Sequence, residues 1–137
     1  MWLKHYIFIR MLPTGKKSAR STVIASLATF VVSAIWHGFY PGFYVFFIGA
    51  GLMDYQAKIA GEVLSPYVES KLPGWLIYAL SWLWCYALCG YFATAFVLLS
   101  FENFHKVYSS MYYAGHLVLI LAIIVCNILK PSAKKVK

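Results

Sequence analysis

Charge is scarce in this chain. Four carboxylates and 12 lysines and arginines make up all of it, 12% of 137 residues, while 62% is hydrophobic and 19% aromatic. A soluble domain of this length has too little interior to hide so much apolar surface, so the composition implies an integral membrane protein. The mean hydropathy of +0.71 agrees. Cysteine is rare too. Cys85, Cys89 and Cys126 all lie inside apolar segments and none belongs to a CxxC pair, which excludes a disulfide framework. Cys85 and Cys89 share a helix face at i, i+4. Two thiols without a third ligand make a poor zinc site, so they read as packing and no metal is expected. Nucleotide loops are missing, because Gly15-Lys16-Lys17-Ser18 has Arg10 where a P-loop needs its upstream glycine. There is no c-type haem attachment motif, no internal repeat and no low-complexity linker.

The charge that is present has a sign and a place. The formal net charge is +8. Lys4, Arg10, Lys16, Lys17 and Arg20 open the chain, and Lys130, Lys134, Lys135 and Lys137 close it. Both clusters flank apolar spans, where cytosolic positive charge sits in membrane proteins. A nucleic-acid face would need a folded soluble surface, which is lacking, so no nucleic-acid partner is expected. Lys4, Arg10, Lys16 and Lys17 read either as holders of a phosphate-bearing group or as a topology signal drawn to anionic lipid.

The apolar runs order the chain into membrane segments. Trp2 to Leu12 is too short to span and suits an interfacial or re-entrant helix. From Ser21 to Met53 there is no Asp, Glu, Lys or Arg. That run is too long for one crossing of about 20 residues and too short for two. It reads as two short helices, Thr22–Trp36 and Tyr40–Met53, with a break between them. A signal peptide cut after Val32-Ser33-Ala34 is the rival reading, opposed by the long basic leader. Asp54 to Leu72 reads as a polar connection, punctuated by Ser65-Pro66 and Pro73-Gly74. Trp75 to Ser100 is long enough to span with tilt, with Trp75, Trp82 and Trp84 crowding one half. Phe101 to Ser110 is short and amphipathic: Glu102 and Lys106 form an i, i+4 pair, and Phe101, Phe104 and Tyr108 share the other face. Tyr112 to Leu129 is the last span. The expected fold is all-α, with about four membrane segments, both basic ends cytosolic and Phe101–Ser110 lumenal.

His37 stands at the break. It is the one imidazole inside the uncharged run, and an ionisable group at membrane depth faces a cavity or a partner and marks a functional site. Pro41 has no N–H and pushes Tyr40 out of the helical region. Gly38 and Gly42 permit turns and the close approach of a ligand. Non-helical backbone survives in lipid only where protein or a wet cavity covers it. The alternative is a structural histidine that caps a helix end. Trp36, Phe39, Tyr40, Phe43 and Tyr44 read either as a pocket wall or as helix packing. A haem pair made of His37 and His116 would need both helices to face one macrocycle. His5 reads as solvated in its interfacial segment, His105 falls in the amphipathic Phe101–Ser110 piece, and His116 reads as structural.

Trp36-His37-Gly38 with Phe39-Tyr40-Pro41-Gly42-Phe43-Tyr44 resembles the membrane-bound O-acyltransferase family in its lysophospholipid acyltransferase branch, most like fungal members. Trp2-Leu3-Lys4-His5-Tyr6-Ile7-Phe8-Ile9-Arg10 is similar to the family's stretch after its Asn. Gly90-Tyr91, Thr94-Ala95-Phe96, Lys106-Val107-Tyr108 and Gly115-His116 are similar to its C-terminal part. The resemblance covers nearly the whole chain. It implies a C-terminal portion of a larger enzyme, with an N-terminal remainder as its partner and the family's Asn just before Trp2. It also implies acyl transfer from acyl-CoA, a co-substrate rather than a bound cofactor, to a lysophospholipid hydroxyl, with His37 as the base. Lysophospholipid and membrane lipids are then the molecules the chain meets. A sterol, diacylglycerol or protein acceptor, and a non-catalytic membrane scaffold, are the alternatives. Lys134-Lys135-Val136-Lys137 looks like a dilysine retrieval signal and implies the endoplasmic reticulum membrane.

Overall fold

A computed structural model describes residues 3–12 and 19–130, without the side chains at positions 4, 19 and 20. The described chain is helical throughout, as the apolar runs imply. A π-helical turn, Lys4–Phe8, runs into a short α1, Ile9–Met11. Then come α2 (Ala19–His37), α3 (Pro41–Val68), α4 (Gly74–Leu98), α5 (Phe101–Ser110) and α6 (Ala114–Leu129).

The break falls where the local chemistry puts it. The helix α2 ends at His37, and the Gly38 N–H still bonds to the carbonyls of Ala34 and Ile35 at 3.2 and 3.1 Å. Gly38 then turns with φ +126°, a region that side-chain-bearing residues avoid. Tyr40 is extended, and Pro41 opens α3 at a position where a missing N–H costs nothing.

The second helix corrects the sequence reading. It does not stop at Met53, and residues 54–68 are not a polar connection: α3 runs unbroken to Val68. The reason is that its polar residues have partners on every neighbouring helix. The Ser26 hydroxyl of α2 donates to Asp54 Oδ2 at 2.6 Å, and the Trp84 indole N–H of α4 donates to Gln56 Oε1 at 3.0 Å. The Tyr55 hydroxyl donates to Asn127 Oδ1 of α6 at 3.2 Å, and Lys130 pairs with Glu62 at 2.7 Å. Lys58 closes on Asp54 at 2.6 Å within the helix. Polar side chains with such partners no longer favour a loop, and Ala, Leu, Lys and Glu favour the helix. The true connection to α4 is only Glu69 to Pro73.

Helix α3 is therefore the central strut, with α2 and α4 along its flanks and α6 also packed on it. Two apolar clusters tie the rest together. Leu88, Phe92 and Leu119 are buried against Val45, Phe46, Leu52 and Met53. Ala95, Phe104 and Tyr108 are buried where α5 folds back under α4. Phe101, expected on the same face, is 61% exposed, and Glu102 and Lys106 do not close into an ion pair. Among the described residues α4 alone is long and apolar enough to cross a membrane by itself. Of the other segments, α2 is a shorter apolar helix over Ser21–His37, α3 is 28 residues long but polar beyond Met53, and α5 and α6 form a bent pair that meets at 74°. The tryptophans of α4 do lie in its first half: Trp75 and Trp82 are exposed beside Tyr78 and Tyr86, while Trp84 turns inward to Gln56.

Candidate active site around His37

The imidazole of His37 is oriented by its own helix. Its Nδ1 lies 2.6 Å from the Ser33 carbonyl oxygen, one turn back. A carbonyl only accepts, so this contact requires the proton on Nδ1. In the neutral ring Nε2 is then bare, with its lone pair free to take a proton. A hydrogen bond that fixes the tautomer in this way is what a directional base needs.

Aromatic rings hold one side of the imidazole. Phe47 lies 4.7 Å away between centroids, and Phe43 and Phe96 each lie 5.8 Å away. Phe96 comes from α4 and packs on Phe43 at 4.9 Å and on Phe46 at 5.1 Å. The approach of α3 to α4 that allows this is very close. The Gly42 N–H donates to the Leu99 carbonyl at 2.9 Å, and a Cβ at Gly42 would overlap the Ala95 carbonyl. The turn expected at Gly38 is there, while the close approach at Gly42 is made by the backbone of α4 rather than by the ligand that the sequence suggests.

Of the expected pocket aromatics, only Phe43 touches the imidazole. Tyr40 reaches it indirectly, edge-on to Phe43 at 6.0 Å. Tyr44 is half-buried with no ring contact to His37, and Trp36 is 79% exposed. Phe47 and Phe96 were not among the expected site residues. Phe47 had a signal, since it follows Phe43 by one helical turn. Phe96 had none in local pattern, because its place depends on the packing of α3 against α4. His37 itself is exposed on the side away from these rings.

Of the basic residues expected at the site, only Arg10 has a described side chain. Arg10 is exposed and lies over the Tyr6 ring at 5.5 Å. The Lys4 side chain and Lys16, Lys17, Lys134 and Lys135 lie outside the described residues. His116 is a packed residue, with Nδ1 2.7 Å from the Tyr91 hydroxyl. His5 and His105 are exposed. Cys85, Cys89 and Cys126 line a separate, mostly apolar cavity of about 930 Å³ between α3, α4 and α6. None of the rings around His37 lines that cavity. Among the described residues no three metal-ligating side chains come together.

Residues 1–101 match the model of the membrane-bound O-acyltransferase family. Lysophospholipid acyltransferase 1 of Arabidopsis thaliana is 31% identical over 139 residues, which cover 98% of this chain and 29% of that protein. Membrane-bound glycerophospholipid O-acyltransferase 2 of Gallus gallus is 32% identical, over 91% of this chain and 22% of its own length. Lysophospholipid acyltransferase of Schizosaccharomyces pombe is 28% identical, over 92% and 25%. The chain thus spans less than a third of the length of these curated relatives.

Proposed function

The chain belongs to the membrane-bound O-acyltransferase family, and on that premise we propose that it carries the general base of a lysophospholipid acyltransferase that uses acyl-CoA. One observation supports this most: the Nδ1 contact to the Ser33 carbonyl, which leaves Nε2 of His37 free. In the proposed step Nε2 takes the proton of the lysophospholipid hydroxyl as its oxygen attacks the thioester carbon. The C–S bond then breaks, and the same proton passes to the CoA sulfur. No acyl-enzyme intermediate is needed. Proton transfer of this kind contributes about 10²–10⁴-fold. The names of the relatives support a phospholipid acceptor over a sterol, a diacylglycerol or a protein.

We place the reaction in the endoplasmic reticulum membrane. Residues 1–137 alone are proposed to turn nothing over. His37 is exposed on one side, and the family resemblance assigns a second catalytic group, an Asn, to the stretch before Trp2. The test supplies radiolabelled acyl-CoA to fractionated membranes that contain the full-length protein carrying this chain. Lysophospholipid, diacylglycerol and sterol are offered in parallel. Label is expected in phospholipid, in the endoplasmic reticulum fraction. Label in sterol ester, triacylglycerol or protein instead would overturn the acceptor assignment.

A further inference from the structure

A second cluster sits one helical turn from the rings that hold His37. The Tyr91 hydroxyl and His116 Nδ1 are 2.7 Å apart and join α4 to the first turn of α6. Tyr91 lies flat on Gly115, where a Cβ would strike its ring. Tyr108 of α5 stacks on Tyr91 at 4.7 Å, and its hydroxyl donates to the Tyr91 carbonyl at 3.2 Å. The His116 ring also meets Phe92 edge-on at 4.9 Å. Phe92 in turn fills the notch left by Gly49 on α3. Four residues further along the same face of α4 stands Phe96, which packs on His37.

These contacts fix the rotation of α4 from both sides. Gly49 and Gly42 set it against α3, and His116 sets it against α6. A rotation of α4 by about 20° would carry a ring such as Phe96 through ~2 Å at the helix surface. A shift of that size at a reacting group matters, since a misplacement of about 1 Å can cost on the order of 10²-fold in rate.

We propose that His116 and Tyr91 are positioning residues, which through Phe92 and Phe96 hold the ring wall against the His37 imidazole. Its catalytic meaning rests on the reading of His37 as the base, but the coupling is measurable without turnover. The chain has four histidines, His5, His37, His105 and His116, so isotope-labelled histidine in micelles gives a small set of resolvable ring signals. Phe96→Leu supplies the reference, namely the shift of the His37 Cε1–H signal when that ring is removed. Tyr91→Phe, which deletes only the hydroxyl, is expected to move the His37 signal at least half as far in the same direction while the His5 signal stays put. His116→Leu is expected to do the same. His116→Asn, whose Oδ1 can still accept from Tyr91, is expected to remain closer to wild type than His116→Leu. An unmoved His37 signal in Tyr91→Phe and His116→Leu overturns the proposal, as does Phe96→Leu without effect. Should Tyr91→Phe fail to fold, the two His116 variants decide by the same criterion. If the shift appears but His37 proves dispensable for acyl transfer, the coupling stands and only the catalytic reading falls.

Discussion

Gly38, Gly42 and Gly61 are three glycines with three different jobs, and substitution by alanine separates them. Gly38 has φ +126°, so Gly38→Ala is expected to cost about 1–3 kcal/mol in backbone strain. Gly42→Ala would press a Cβ into backbone atoms of Ala95 and Leu99, which cannot rotate away. Overpacking of that kind costs about 1–3 kcal/mol and would push α3 off α4. Gly61 lies inside α3 with nothing within 4 Å of its would-be Cβ, so Gly61→Ala should stabilise by roughly 0.5–1 kcal/mol. Denaturation in micelles reads all three, and a Gly42→Ala chain as stable as Gly61→Ala would contradict the close approach. At this scale much was legible. Gly38 and Pro41 carry their roles in local chemistry, as residues that end one helix and start another, and His37 stands out as the one imidazole in an uncharged run. Phe96 does not, since nothing near it in the chain says that α4 will come within hydrogen-bond distance of Gly42.

At the scale of elements, legibility failed where polar side chains found distant partners. Asp54, Gln56 and Glu62 look like a loop in sequence because a loop would hydrate them. In the fold Ser26, Trp84 and Lys130 replace the water, and the helix continues. The partners lie on other elements, so no local window could reveal them. The amphipathic reading of α5 is met by Phe104 and Tyr108, which are buried at the helical period, but not by Phe101, which is exposed. Burial pushes the Tyr108 phenol up to about 12. The free phenol titrates near 10, so the folded state favours the protonated form. Its contribution to stability is complete below about pH 10 and is lost as pH rises through about 12. Alkaline titration followed by tyrosinate absorbance should therefore show a late step near pH 12 that accompanies loss of tertiary structure. Tyr108→Phe should remove that step. A Tyr108 that ionised near pH 10, where the free phenol does, would contradict its burial under α4.

For the whole molecule, composition settled the class and the break at His37 settled where to look. Residues 1–101 match the acyltransferase family, and the chemistry proposed for that break rests on this match. The curated relatives extend well past this stretch, which covers 29% of the Arabidopsis thaliana protein, so the central claim is tested in the full-length protein that carries the chain. The measurement is single-turnover acyl transfer by His37→Gln beside wild type. Glutamine keeps the approximate size and some hydrogen bonding but cannot take the proton. A general base acts on the chemical step, so the rate constant should fall by about 10²–10⁴-fold. The dependence on acyl-CoA concentration and the amount of protein in the membrane should change little. A His37→Gln enzyme that transfers acyl groups at a near-normal rate would contradict the assignment of His37 as the base.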